Sequence, residues 1–149
     1  MHLRVFGDRN LLGRAAAAQA SEAVQHAIVD RGKTRIIGAS ADSQLEFLAA
    51  LTAMPGIDGK RVELFHFDEY IGLPMTHTAS FCKFLQDRLI ANTGIVNFHM
   101  LNGEKDPAEV IRDANEAITA APIDVAFVDI GENGHLALND PRQISKLKS

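Results

Sequence analysis

Hydrophobic and polar positions along the chain alternate between a helical and an extended rhythm. His2–Phe6 is a short apolar-rich run that ends at Gly7-Asp8. From Leu11 to Val29, an alanine-rich stretch puts Leu12, Ala16, Ala20, Ala23 and Ala27 on one helical face, and Gly32 is placed to close that helix. Arg35–Ala39 (RIIGA) then has the character of a buried strand. Asp42 is placed to cap a helix with Leu45, Leu48 and Leu51 along one side, stopped by Pro55-Gly56. Val62–Phe67 predicts a second interior strand, broken by Asp68-Glu69 and then by Gly72 and Pro74. Thr78 to Ala91 predicts a helix whose core stripe is Phe81, Phe84, Leu85 and Leu89. Asp106-Pro107-Ala108-Glu109 has the order of a helix start: a capping acid, proline first and glutamate third. Ile123–Ile130 (IDVAFVDI) is near-continuously apolar, as a parallel interior strand should be, and runs directly into Gly131-Glu132-Asn133-Gly134-His135.

Strands separated by helical segments predict βαβ units, and hence an α/β fold: a mostly parallel, Rossmann-like sheet with helices on both faces. The final eight residues, RQISKLKS, are polar and basic and break that pattern. A parallel sheet rarely stops just after the loop that leaves an interior strand, so the chain reads as incomplete, truncated at its C-terminus.

Composition narrows the function. A length of 149 residues matches one domain, and 46% hydrophobic against 23% charged residues excludes wholesale disorder. Fifteen Lys+Arg against nineteen Asp+Glu give a formal charge of −4. No basic cluster precedes the last residues, so no nucleic-acid partner is expected. No apolar run approaches the ~18 residues that span a bilayer, so no membrane association is expected either. The N-terminus turns polar too soon for a signal peptide. The single cysteine, Cys82, cannot form an internal disulfide, which favours a reducing, cytoplasmic location.

In open parallel sheets, ligands bind beyond the carboxyl ends of the strands. Three polar segments leave strands at that end. Asp68-Glu69 is two adjacent carboxylates pointing in opposite directions: one a tuned general base with the other as cap, or else both part of a solvated loop. Gly131–His135 sets a near-neutral titrating side chain between glycines, with Asp140 able to orient the ring; an ordinary turn is the plain alternative. Gly38–Ser43 offers Ser40 and Ser43 hydroxyls to an anion at a helix start, or is simply a cap. His66 and His99 have no ligand-spaced partner, Cys82 reads as a small core residue, and no spacing argues for a metal.

Taken together, FDEYIGLP (Phe67–Pro74), the LNG of Leu101–Gly103 and DIGENGHLALNDP (Asp129–Pro141) resemble the glucosamine-6-phosphate deaminase/isomerase family, relatives of 6-phosphogluconolactonase. The resemblance implies a fold of the sugar-phosphate isomerase type, with 1–141 the N-terminal part of that domain and 142–149 a divergent tail. It implies aldose–ketose isomerisation with deamination in amino-sugar metabolism, on a small sugar phosphate, with no metal or cofactor and possible self-association. Asp68 falls on the proton-transfer base, His135 on the ring-opening histidine, and Asp140 on the acid that supports it. Ser40, Ala41, Asp42, Ser43 and Gln44 fall on the phosphate-binding loop. Three features differ from well-studied deaminases: Asn133 stands where they carry aspartate, Asp140 where they carry glutamate, and Ala41-Asp42 replaces the glycine-rich phosphate loop. Two alternatives remain beside this reading: a non-catalytic homologue retaining only fold or ligand binding, and lactone hydrolysis of the 6-phosphogluconolactonase type.

Overall fold

The computed structural model describes residues 2–139. Asp8 opens the first helix by accepting a hydrogen bond from the Leu11 amide at 2.8 Å, and α1 (Arg9–Arg31) ends at Gly32, which takes φ +76°. The buried face of α1 is Gly13, Ala17, Ala20, Val24 and Ala27, turned by one position from the expected stripe at its start, and Leu12 is left half exposed. The cause is packing against the second helix. A Cβ at Gly13 would lie 2.8 Å from the Glu46 backbone, so only the smallest residue admits that approach.

β1 (Thr34–Gly38) leads through a 3₁₀ turn (Asp42–Gln44) into α2 (Leu45–Thr52). Asp42 lies inside this turn rather than capping it. No side chain caps its start, so Asp42 contributes charge, not a hydrogen bond. β2 (Val62–His66) is followed by a long loop, and Ser80 caps α3 (Phe81–Leu85). That helix continues through a π-helical turn (Gln86–Ile90) into α4 (Ala91–Thr93), burying Leu85, Leu89 and Ile90. β3 (Asn97–His99) follows. Asp106 then accepts from the Ala108 and Glu109 amides to start α5 (Pro107–Thr119), as its sequence predicts.

β4 (Val125–Phe127) pairs with β1, and the sheet order is β3-β2-β1-β4, all parallel. Only three residues of the expected Ile123–Ile130 strand join this ladder, and β4 is a sheet edge among the described residues. Past Phe127 the backbone leaves the sheet, and Ile130 forms an isolated antiparallel bridge with Leu136. No strand forms at His2–Phe6, where Leu3 and Val5 are exposed.

Strand alternation assigns the two faces. Ile36, Leu64 and Phe127 face the core with Ala17, Val24, Phe47, Leu48 and Leu85, so α1, α2 and α3 cover this side. Arg35 points the other way, to the carbonyls of Ala117, Ile118 and Ala121 at the end of α5. Helices therefore lie on both faces. Among the described residues, no helix is long and apolar enough to cross a membrane.

Candidate active site

The chain builds β1, β2 and β3 outward in one direction, then returns to place β4 on the other side of β1. The crevice beyond the carboxyl ends of β1 and β4 is the topological switch point, where open α/β sheets bind ligands. Gly38 is level with His66 on one side and Phe127 on the other, so three loops leave the sheet at one height. The loops after β1 and β4 are tied together. The Ala39 amide donates to the Phe127 carbonyl at 3.1 Å, Ser43 Oγ donates to Asp129 Oδ1 at 2.7 Å, and Gln44 Nε2 donates to the Val128 carbonyl at 3.3 Å.

Asp68 and Glu69 follow β2 and take different surroundings. Glu69 turns to α3 and takes four hydrogen bonds, from the Tyr70, Phe81 and Cys82 amides and the Ser80 hydroxyl. Burial alone would raise its pKa. The Cys82 amide, the Ser80 hydroxyl and the other two amides outweigh that and hold it below the ordinary value. Asp68 is partly buried, and its Oδ1 has no partner among the described residues. Burial first, then the charges of Asp129 and Glu69, push its pKa up to about 6, against a smaller opposing pull from the Leu138 amide. A carboxylate that titrates near neutrality can both take and return a proton.

The Leu138 amide belongs to the loop after β4, so that loop folds back toward Asp68. Its turn is held by Gly131 N–H to His135 carbonyl at 2.9 Å and by Gly134 N–H to Gly131 carbonyl at 2.8 Å. The His135 ring lies over Gly131, where a Cβ would come within 2.2 Å of Cε1. Asn133 Oδ1 accepts from the His135 amide at 3.2 Å and contacts Nδ1. In the neutral ring, an acceptor there places the proton on Nδ1 and the lone pair on Nε2. Asp140 and the 141/142 boundary lie outside the described residues.

In the loop after β1, Ser43 and Asp42 are exposed while Ser40 and Gln44 are buried. Ser40 Oγ spends its proton on the Phe81 carbonyl at 3.1 Å, and the Asp42 carbonyl accepts from Arg9 at 2.6 Å. Ser43 and the turn that opens α2 thus face outward, and Ser40 braces the loop against α3.

By spacing His66 has no ligand-spaced partner and Cys82 reads as a small core residue; Cys82 is fully buried, and the fold sets His66 beside it. His66 Nδ1 lies 3.4 Å from Cys82 Sγ, and Glu69 joins them within 4.8 Å. Burial pushes the thiol up to about 12 and the imidazole down to about 4, so both are neutral. His99, likewise, meets Glu63 at 2.9 Å. Asp129 and Arg9 are not singled out by sequence. Asp129 carried the one available signal, a carboxylate directly beyond an apolar strand.

A family model described as glucosamine-6-phosphate isomerases/6-phosphogluconolactonase matches residues 7–138. The chain belongs to this family. Glucosamine-6-phosphate deaminase 2 of Giardia intestinalis is 41% identical over 98 residues, covering 63% of this chain and 37% of that protein. Glucosamine-6-phosphate deaminase of Listeria monocytogenes is 29% identical over 128 residues, covering 85% of this chain and 54% of that protein. The chain thus spans between 37% and 54% of these relatives' length. A solved monomeric glucosamine-6-phosphate deaminase superposes with a TM-score of 0.84 at 18% identity, over 95% of this chain and 60% of that one. A 6-phosphogluconolactonase from Shewanella baltica gives 0.78 at 21%, over 89% of this chain and 58% of that one. At such identity these two structures establish the family's shared α/β fold.

Proposed function

We propose that the chain carries the proton-transfer part of a glucosamine-6-phosphate deaminase/isomerase site, in cytoplasmic amino-sugar metabolism. The observation that carries this reading is Asp68: a carboxylate in the loop after β2, partly buried, with Oδ1 unpartnered among the described residues and a pKa pushed up to about 6.

The chemistry follows from these residue types. His135 Nε2 takes the O1 proton of the ring-closed sugar and returns one to the ring oxygen, opening the ring. Asp68 then removes the C2 proton while O1 takes a proton from the substrate's own ammonium group, leaving an enolamine across C1 and C2. The same carboxyl group delivers that proton to C1 and leaves an imine at C2. Water adds to the imine, and ketose phosphate and ammonia depart. No step requires a metal or a redox partner. The amide end of the 3₁₀ turn and α2 suits the substrate phosphate, and Ser43 joins it by turning its hydroxyl away from Asp129. Asp42, exposed beside them, adds a like charge that such binding must outweigh.

The test is glucosamine 6-phosphate in deuterated water, following ammonia release and deuterium at C2. The chain is expected to release ammonia, and Asp68→Asn to lower kcat by ~10²–10⁴ with little change in KM. Hydrolysis of 6-phosphogluconolactone without ammonia release would instead support the lactonase reading, which the fold shared with solved lactonases keeps in view. Turnover of neither substrate would mark this chain as non-catalytic.

A further inference from the structure

We propose that Glu69 is a positioning residue, whose carboxylate locks the Asp68 loop to the first turn of α3 and, through that turn, to the Ser40 loop. The inference rests on the reading of Asp68 as proton carrier. Glu69 Oε1 accepts from the Tyr70 amide at 2.9 Å and the Phe81 amide at 3.2 Å. Its Oε2 accepts from Ser80 Oγ at 2.7 Å and the Cys82 amide at 2.9 Å. Phe81 then receives Ser40 Oγ on its carbonyl at 3.1 Å. One side chain therefore joins the loop after β2 to the loop after β1 through a single residue of α3. Ser80 is 1% exposed, so the joint is packed as well as bonded.

Glu69 stands within 4.8 Å of His66 Nδ1 or Nε2 and Cys82 Sγ, a grouping with the donor types of a metal site. Its two oxygens are already engaged by four donors, and a metal would have to displace them from the helix start. The arrangement is that of an anchor. Because the anchor is ionised, it also acts on its neighbour. Among the described residues, the charged groups acting on Asp68 are Asp129 and Glu69, and both disfavour its ionised form. Around Glu69 itself stand neutral Cys82 and neutral His66. Geometry and charge are thus supplied to Asp68 by one residue that need not touch substrate.

The experiment is a carboxyl-carbon NMR titration of Asp68 in the 149-residue chain, without substrate, for wild type, Glu69→Gln and Ser80→Ala. Glu69→Gln is expected to lower the Asp68 midpoint by roughly half to one pH unit, the scale of one neighbouring charge. Ser80→Ala loosens the same turn but keeps the charge. It should speed amide exchange at Phe81 and Cys82 while leaving the Asp68 midpoint in place. An unchanged Asp68 midpoint in Glu69→Gln, or an equal fall in Ser80→Ala, overturns the proposal. Should Glu69→Gln not fold, the wild type decides: the Tyr70, Phe81 and Cys82 amides must shift together as Glu69 titrates, and indifference of those amides also overturns it. None of these readouts needs turnover. If Asp68→Asn retained full activity, the proton-carrier reading would fail while the anchor could still be seen.

Discussion

Glu69 meets four donors, while its neighbour Asp68 is partly buried with one oxygen left without a partner among the described residues. Holding Asp68 this way has a stability cost of definite sign. Its folded pKa of about 6 lies above the ordinary 3.8, so the folded state binds the proton more tightly. Stability from this group is complete below about 4 and is lost as pH rises through 6. Asp68→Asn should therefore stabilise the chain at pH 8 by roughly 1–3 kcal/mol, the gain shrinking toward pH 4. Urea denaturation at both pH values reads this. A variant that loses turnover yet unfolds later cannot have lost activity through misfolding. Asn133 makes a second residue-scale prediction, since its oxygen at His135 Nδ1 selects one tautomer. Asn133→Ala should give a mixture of Nδ1–H and Nε2–H forms in imidazole nitrogen spectra, where wild type shows the Nδ1–H form. Identical spectra would mean the asparagine does not orient the ring.

At the scale of elements, α5 is joined to the sheet less by apolar burial than by Arg35. None of its residues is fully buried. Arg35 is 3% exposed, stacks over Phe65 at 4.6 Å, pairs with Glu63 at 2.9 Å and donates to the Ala117 and Ile118 carbonyls at the helix end. Burial would raise the Glu63 pKa, but the His99 and Arg35 hydrogen bonds and charges overcome it and hold it down. A depressed acid stabilises above its ordinary value, here 4.5, and loses that contribution as pH falls through its folded value. Arg35→Met should cost roughly 3–5 kcal/mol at neutral pH, because Glu63 is left without its cation. Glu63→Gln should flatten the loss of stability below pH 4.5. Denaturation curves of the two variants against pH check both signs. The helix start at Asp106 was legible because a cap is a local pattern, read within four residues. The shift in the buried face of α1 was not, because Gly13 owes its position to Glu46, thirty-three residues away.

Across the whole molecule, α1, α2 and β4 border an apolar groove of about 920 Å³, with Leu12, Ala16, Phe47, Val125, Phe127 and Ile130 along it. Ile130 is 63% exposed, and β4 offers an unpaired edge among the described residues. An open apolar face beside a free strand edge favours association. The chain is expected to bind an apolar-surface dye and to self-associate at high concentration. Leu12→Lys should reduce both without lowering the melting temperature. Light scattering after size exclusion, with dye fluorescence, measures this; a monodisperse wild-type monomer without dye binding would show the groove to be inert.

The alternation of strand and helix, the parallel sheet, the capped start of α5 and the family-like segments at Asp68 and His135 all followed from the sequence, because each is written in neighbouring residues. Periodicity reports which side of an element is apolar, and motifs report which chemistry stands at a strand end. Tertiary structure alone decided what those groups meet. Ser43 reaches Asp129 across 86 positions, Ser40 reaches Phe81 across 41, and Cys82 finds His66 across 16. The same holds for the division of labour between Asp68 and Glu69. They are neighbours in the chain, but only the placement of α3 beside the loop after β2 gives Glu69 four donors, while Asp68 Oδ1 has none among the described residues. No local pattern carries that, because the field at a carboxylate is the sum of whatever the fold brings near it.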